Sequence, residues 1–403
     1  MGSVSGGNVA LATIFWLSLG GILYTYFGYP LLIATLAKFF QKTESYNHQV
    51  LGVSILIAAY NEEAFIERKI QNCLALDYPK DRLQILVVTD GSSDRTPQIV
   101  GNYKKSGVEL LHQPERRGKM AAIDRAMYHI NNDIVILSDA NNYYQPDIVS
   151  NLIAPFSNSS VGATTGSKVI EKGDGNLGDS EGLYWKYESF IKEQESKLGS
   201  CTSAAGEILA IRKNLYIAPP ENIINDDFFI AMQILKQGYR LIYIPEAKSI
   251  ERVSPTANDE ITRRTRINAG RFQAMALARK ILPFNQPLLI WQIFSHKFLR
   301  PLVPFGMIFI AVSNLLLVII PPNTSQIIYL SNPFGVSMLT LQILFYVLAW
   351  VGGQMNGKNN QSKIKKILYI STFLVNSNIA ALKGFAQFIR GQESHIWERI
   401  QRR

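Results

Sequence analysis

The sequence predicts an α/β domain with a doubly wound sheet, inserted between transmembrane helices. Three observations carry that prediction. From about Gly52, short apolar runs alternate with helical patterns, as in strand–helix units of a sheet covered on both faces. Apolar stretches long enough for a bilayer crossing, which takes ~20 residues, flank that region on both sides. Only 18 % of the 403 residues are charged, and mean hydropathy is slightly positive, which is unusual for a wholly soluble chain.

Residues 1–37 carry no charged side chain, and Val9 to Ala37 reads as one transmembrane helix. A cleaved signal peptide would need a basic start and a shorter apolar core. Lys38 and Lys42 follow the helix and nothing basic precedes it. The positive-inside rule then places the following domain in the cytoplasm. Strands are expected at Val53 to Ala59, Leu83 to Thr89, Val108 to His112 and Ile134 to Leu137, with helices at Glu62 to Leu76, Pro97 to Lys105 and Lys119 to Ile130. Leu183, Tyr184, Tyr187, Phe190 and Ile191 give a further helical face. Ile208 to Ile211 and Leu241 to Ile244 read as strands, and Phe228 to Gln237 as a helix ending at Gly238.

Gln292, Ser295, His296 and Arg300 share one face of a stretch that carries Leu, Trp and Phe on another, which predicts an interfacial amphipathic helix over 281–300. Pro301 to Ile320 and Phe334 to Val351 read as spans. Lys358, Lys363, Lys365 and Lys366 then mark a cytoplasmic loop. Residues 367–389 are ambiguous, being apolar but interrupted by Asn376, Ser377, Asn378 and Lys383, and lean slightly towards a span. The expected division is a membrane helix within 1–45, a cytoplasmic catalytic domain over 46–280, the interfacial helix, and a membrane region over 301–403. The whole is a multi-pass protein of the cell or inner membrane.

The formal charge of +10 suits a polyanionic small substrate or anionic lipid. No zinc-finger spacing or RGG-type tract argues for nucleic acid. Cys73 and Cys201 form no disulfide framework, and the five histidines show no zinc-ligand spacing.

The chemistry is expected at the strand ends. DIVILSDANN, Asp133 to Asn142, runs a buried strand into Asp139 and Asn141. Short oxygen ligands two apart at such a place suit Mg²⁺ or Mn²⁺, although Asp and Asn are also ordinary turn residues. Tyr60 and Glu62 follow the first strand, and Asp90-Gly91 ends the second; capping and tight turning are the plain alternatives there. Arg116, Arg117 and Lys119 open a helix whose dipole they oppose, so an anion should compensate them. Asp226 and Asp227 open another helix. Asp226 needs no reason beyond capping, and Asp227 is the better candidate base. Arg263, Arg264 and Arg266 within four residues repel one another unless acids or an anion such as a pyrophosphate pair them. Lipid headgroups are the competing explanation for these arginines.

The ordered set AAYNEE, TDGSSDRT, RRGK, SDANN, GEILAIRK, NDD and the arginine-rich helix resembles the membrane-bound family 2 glycosyltransferases. That group includes cellulose, hyaluronan and poly-N-acetylglucosamine synthases. The resemblance covers roughly Val9 to the end and is strongest from Gly52 to Gln273. It implies a GT-A fold with a mixed sheet, and cation-assisted inverting transfer from a UDP-sugar to a polysaccharide acceptor or, alternatively, to a lipid or lipid-linked one. Three or four membrane segments are few for a translocating channel, which favours an accessory export subunit or a lipid acceptor. A non-enzymatic nucleotide-binding scaffold or transport subunit is the reading from a different class. Carried over, Tyr60, Glu62 and Asp90 would hold the uridine, Lys119 would approach the nucleotide, and Asp139 with Asn141 would meet UDP and metal. Asp227 would be the base, and Arg263, Arg264 and Arg266 would lie near the diphosphate. Two departures stand out: the second metal carboxylate is Asn141, and the polymerising members' Gln-x-x-Arg-Trp motif has no match, since the arginines run into Ile267. Trp185 could offer a sugar platform, with a core role as the plainer reading.

Overall fold

The computed structural model describes residues 4–41, 46–47, 49–171, 175–220, 222–252, 254, 256–354 and 363–391. The expected anchors Lys42 and Lys358 lie outside the described residues, as do the side chains of Lys363, Lys365 and Lys366.

Eight strands form one sheet: β1 (Val53–Ala59), β2 (Leu83–Asp90), β3 (Val108–Gln113), β4 (Ile134–Asp139), β5 (Tyr143–Tyr144), β6 (Val161–Ile170), β7 (Leu209–Arg212) and β8 (Arg240–Glu251). Their order is β3-β2-β1-β4-β7-β6-β8-β5. The first four pair in parallel, β7 runs antiparallel to both neighbours, and β6 and β8 are parallel to one another. The sheet is therefore mixed. Strand alternation divides two cores. Val53, Ile55 and Ile57 of β1 pack on one face with Ile66 and Ile70, while Leu56 and Ala58 pack on the other with Met120 and Ile123.

Strand β6 was not legible because its residues are Gly, Thr, Ser and Ala as much as apolar. Its position in the sheet needs that smallness: a Cβ on Gly166 would stand 2.2 Å from the Ala247 carbonyl oxygen. Strand β8 continues past Ile244 because Pro245 falls where the β6–β8 register slips, between Gly166 and Ser167. A proline's missing N–H costs no ladder bond at such a bulge.

Among the described residues, three helices are long and apolar enough to cross a membrane: Gly6–Phe40, Pro287–Ile319 and Phe334–Gln354. The first contains a π-helical turn at Tyr24–Gly28 and the second one at Phe294–Phe298. Pro287–Ile319 is continuous, so no separate interfacial helix precedes the span. The polar face expected at the membrane surface is turned inward: Gln292, Ser295, His296 and Arg300 are all buried. Carboxylates of the helix Gly175–Lys197 explain this. His296 Nδ1 lies 2.8 Å from Glu195 Oε1, and Lys297 Nζ donates to Glu188 Oε2 at 3.0 Å. Tyr29, from the first apolar helix, also donates to Glu195 Oε1, at 2.5 Å. Buried charge is tolerated only when paired in this way.

The helix Lys363–Arg390 is not among the three apolar ones. It packs along the arginine helix Ala257–Ala276, so closely that a Cβ on Gly384 would meet the Thr265 carbonyl oxygen at 2.7 Å.

Candidate active site

The site forms at the carboxyl ends of β2, β1 and β4, where the parallel half of the sheet meets antiparallel β7. Register aligns Ala58 of β1 with Asp139 of β4, and Ala59 with Thr89 just before Asp90. Tyr60, Asp90, Arg116, Gly118 and Lys119 line a cleft. Arg116 lies 3.8 Å over the Tyr60 ring. Asp90 is buried and accepts from the backbone N–H groups of Arg117 (2.8 Å) and Gly118 (2.6 Å), which pins the basic loop to the strand end. Gly91 has φ +68, and a Cβ there would lie 2.5 Å from that of Arg116, so this turn requires glycine. Glu62 is buried behind the cleft and does not line it. Its N–H donates to Thr96 Oγ1 at 2.8 Å, tying the first motif to the second.

A second cavity adjoins the first and is lined by Gly118, Lys119, Ile224, Asp226 and Arg266. Lys119 Nζ donates to Asp139 Oδ1 at 2.8 Å and stands 3.7 Å from Asp226 Oδ2. Burial pulls its ammonium down, but Asp139, Asp226 and Asp227 together override that and hold it well above its ordinary value. Asp227 accepts from the Phe228 N–H at 2.7 Å. Withdrawal from water, then the neighbouring Asp226, pushes its carboxyl up to about 6. That places the carboxyl in the range that suits a general base.

The arginine helix does not turn all three arginines towards the diphosphate position. Arg266, Gly270 and Gln273 recur on the face that meets the loop before Asp226. There Gln273 Oε1 accepts from the Ile224 N–H at 3.1 Å, and Asn225 Nδ2 donates to the Ile267 carbonyl at 3.0 Å. Arg266 thereby reaches the second cavity. Arg263 and Arg264 point elsewhere and are neutralised by acids. Arg263 forks onto Glu260 at 2.6 and 2.9 Å, while Arg264 bonds Glu260 at 2.8 Å and Glu181 at 2.7 Å. Of the three arginines expected near a diphosphate, Arg263 and Arg264 thus face acids instead, and Arg266 is the one that lines a cavity. The physical reason is the 3.6-residue helical period together with the acids that meet the other two faces. Arg266→Ala is expected to weaken nucleotide binding by about tenfold, whereas Arg264→Ala is expected to lower the unfolding temperature with little change in nucleotide affinity. Calorimetric titration and thermal melts of the two variants separate these outcomes.

Asn141 Nδ2 donates to Glu251 Oε1 at 3.2 Å. Glu251 and Glu207 (3.3 Å) hold Lys168, whose ammonium is 5.1 Å from the Trp185 ring centre. Burial works against charge on Lys168, and the two glutamates outweigh it. Lys168, Glu207 and Glu251 were missed at the sequence level. Glu207 lies within GEILAIRK, but Lys168 sits on the strand that its composition concealed. The described residues hold no group of three or more His, Cys, Asp or Glu arranged for a metal. Asp139 offers one carboxylate, and Asn141 only an amide oxygen, its nitrogen being engaged on Glu251. That set fits a hard cation carried in by phosphates, which takes one or two protein ligands. It does not fit a cation held by protein alone.

Residues 54–217 match the family model described as Glycosyl transferase family 2. The chain is 27 % identical over 202 residues to the poly-beta-1,6-N-acetyl-D-glucosamine synthase of Staphylococcus aureus strain COL, covering 49 % of this chain and 48 % of the relative. The synthase of the same description from Staphylococcus epidermidis is 25 % identical over 231 residues, covering 54 % and 56 %. The chain thus spans about half the length of the curated relatives it matches. A mannosyltransferase of Pyrobaculum calidifontis, solved with GDP-mannose and Mn²⁺, superposes over 92 % of this chain and 99 % of its own, with TM-score 0.68 and 22 % identity. At that identity the likeness speaks to fold. The chain carries a family 2 glycosyltransferase domain of the GT-A fold, with apolar helices on either side of it.

Proposed function

We propose that this chain is a membrane-embedded inverting hexosyltransferase that moves a sugar from a UDP-sugar to an acceptor hydroxyl. The observation that carries the reading is the convergence of Asp90, Lys119, Asp139, Asp227 and Arg266 on adjoining cavities at the strand ends. Tyr60 and Asp90 hold the base and ribose. Lys119 and Arg266 present positive charge where the diphosphate departs, in surroundings that water screens poorly. Asp227 takes the acceptor hydroxyl's proton as that oxygen attacks the anomeric carbon opposite the diphosphate, which inverts the centre. Mg²⁺ or Mn²⁺ at Asp139 would supply further positive charge to the leaving group. Asn141→Asp is expected to tighten Mn²⁺ binding in the presence of UDP by about tenfold, since a carboxylate is the better hard-cation ligand; Mn²⁺ EPR titration reads this without turnover.

The growing polysaccharide is the first acceptor reading, supported by the relatives' names. Transfer to a lipid-linked acceptor is the second, and is favoured by three candidate spans, few for a polymer channel without an accessory export subunit. Incubation with a panel of UDP-sugars and membrane lipid separates them: a ladder or high polymer supports the first, and a single addition to lipid supports the second. We place the catalytic domain on the cytoplasmic side of a multi-pass membrane protein. Protease accessibility in sealed inside-out vesicles tests that orientation.

A further inference from the structure

The two π-helical turns of the apolar helices meet each other. Tyr24 Oη and Ser295 Oγ are 2.7 Å apart, and Trp291 Nε1 donates to Tyr24 Oη at 3.0 Å. Gly6–Leu23 and Leu299–Ile319, of 18 and 21 residues, run away from that junction. At ~1.5 Å per residue each is about as long as the ~30 Å hydrocarbon core. The junction therefore lies at one membrane boundary, beneath the catalytic domain. Such π turns re-aim side chains and recur at functional sites.

Two cations meet there on one carboxylate. Lys297 and Arg300 both bond Glu188, which also faces His296 Nε2 at 3.2 Å. Arg300 is buried, yet its Nε and Nη2 have no hydrogen-bond partner. Arg271 reaches only Asn268 Oδ1, at 3.4 Å, and makes no ion pair among the described residues. It shares a helix face with Arg264, which lies 4.7 Å from the Tyr184 ring centre, while Arg300 lies 5.2 Å from that of Tyr187. Burial raises the Tyr184 phenol, but Arg271, Arg300, Arg264 and Lys297 bring it down to about 7, a mark of how much positive charge converges on it. Glu195 adds a second negative charge nearby, its contacts with Tyr29 and Thr202 being to neutral groups. Arg271, Lys297 and Arg300 against Glu188 and Glu195 leave positive charge in excess, which a phosphate balances, and guanidinium forks suit its oxygens. The cluster also adjoins the candidate base: Phe228, next to Asp227, and Phe298, next to Lys297, have ring centres 6.4 Å apart.

We propose that Arg271, Lys297, Arg300, Tyr184 and Tyr187 form a phosphate-binding pocket at the membrane boundary that holds the phosphate of a lipid-linked acceptor beside Asp227. This rests on the glycosyl-transfer reading and narrows its acceptor to one bearing phosphate. Leu183 and Phe190, on the same helix as the two tyrosines, are exposed apolar side chains and suit a lipid tail.

The test is binding to the full chain in phosphatidylcholine nanodiscs, with phosphatidic acid, diacylglycerol and inorganic phosphate as probes. Phosphatidic acid should bind, and diacylglycerol should bind at least about tenfold more weakly. Arg271→Gln should lose about tenfold or more, and Arg271→Lys should recover part of that. An unchanged melting temperature shows that Arg271→Gln is folded. Equal binding of phosphatidic acid and diacylglycerol, or equal binding by wild type and Arg271→Gln, overturns the pocket. Inorganic phosphate binding as tightly as phosphatidic acid overturns the lipid source. Phosphatidic acid binding that depends on Arg271, in a chain that releases no nucleotide from any nucleotide sugar, would leave the pocket standing and sink the transferase reading instead.

Discussion

Asp227→Asn is expected to lower sugar transfer by about 10²–10⁴-fold, the range that a positioned general base supplies, while nucleotide binding persists. The variant keeps the size and the Phe228 contact of the side chain but cannot take a proton. Because its environment pushes this carboxyl up to about 6, wild-type activity should rise with pH through about 6 and level off above it. The sign for stability is opposite. A carboxyl whose folded value lies above its unfolded one contributes stability below the unfolded value of ~4, and that contribution is lost as pH rises through the folded value. At neutral pH the ionised Asp227 thus destabilises the free protein, and Asp227→Asn should melt higher than wild type. Initial rates across pH and melting curves of the two proteins check both statements. A variant that is inactive and also melts lower would point to a structural role.

Asp139→Ala is expected to reduce kcat/KM by about 10²–10³-fold, comparable to removing a group that stabilises transition-state charge. Asp139 is the near partner of Lys119, at 2.8 Å against 3.7 Å for Asp226. Without it the ammonium should swing towards Asp226, away from the nucleotide. The same change removes the carboxylate proposed to meet a phosphate-borne cation. UDP affinity measured with and without Mn²⁺ should show the metal-dependent part disappearing. An unchanged Mn²⁺ effect would place the cation elsewhere.

Much of the sheet could be read directly because its strands are apolar and bounded by turns. β1 and β4 sit between cores on both faces, so Ile55 to Ala59 and Ile134 to Leu137 had to be continuous apolar runs. β6 escaped because its neighbours come so close that only small residues fit. In the site, Asp90, Lys119, Asp139 and Asp227 were visible as polar residues at element ends, where α/β folds put ligands. The arginines were not separable by spacing. Glu181 lies 83 residues from Arg264 in sequence, and only the packing of Gly175–Lys197 against the arginine helix reveals that Arg264 is already paired. The same long-range acids turned the polar face around His296 inward, so a pattern that resembles an interfacial helix became a buried joint between two apolar helices and the helix Gly175–Lys197.

The central claim is that the cavities around Lys119 and Asp139 hold a nucleotide sugar for transfer. The most direct measurement is release of nucleoside diphosphate from a panel of nucleotide sugars by the purified full chain, with membrane lipid and Mg²⁺ or Mn²⁺ present. The account predicts UDP release that depends on the cation and collapses in Asp227→Asn while UDP still binds. No release from any nucleotide sugar by the wild type, or equal release by wild type and Asp227→Asn, would contradict it.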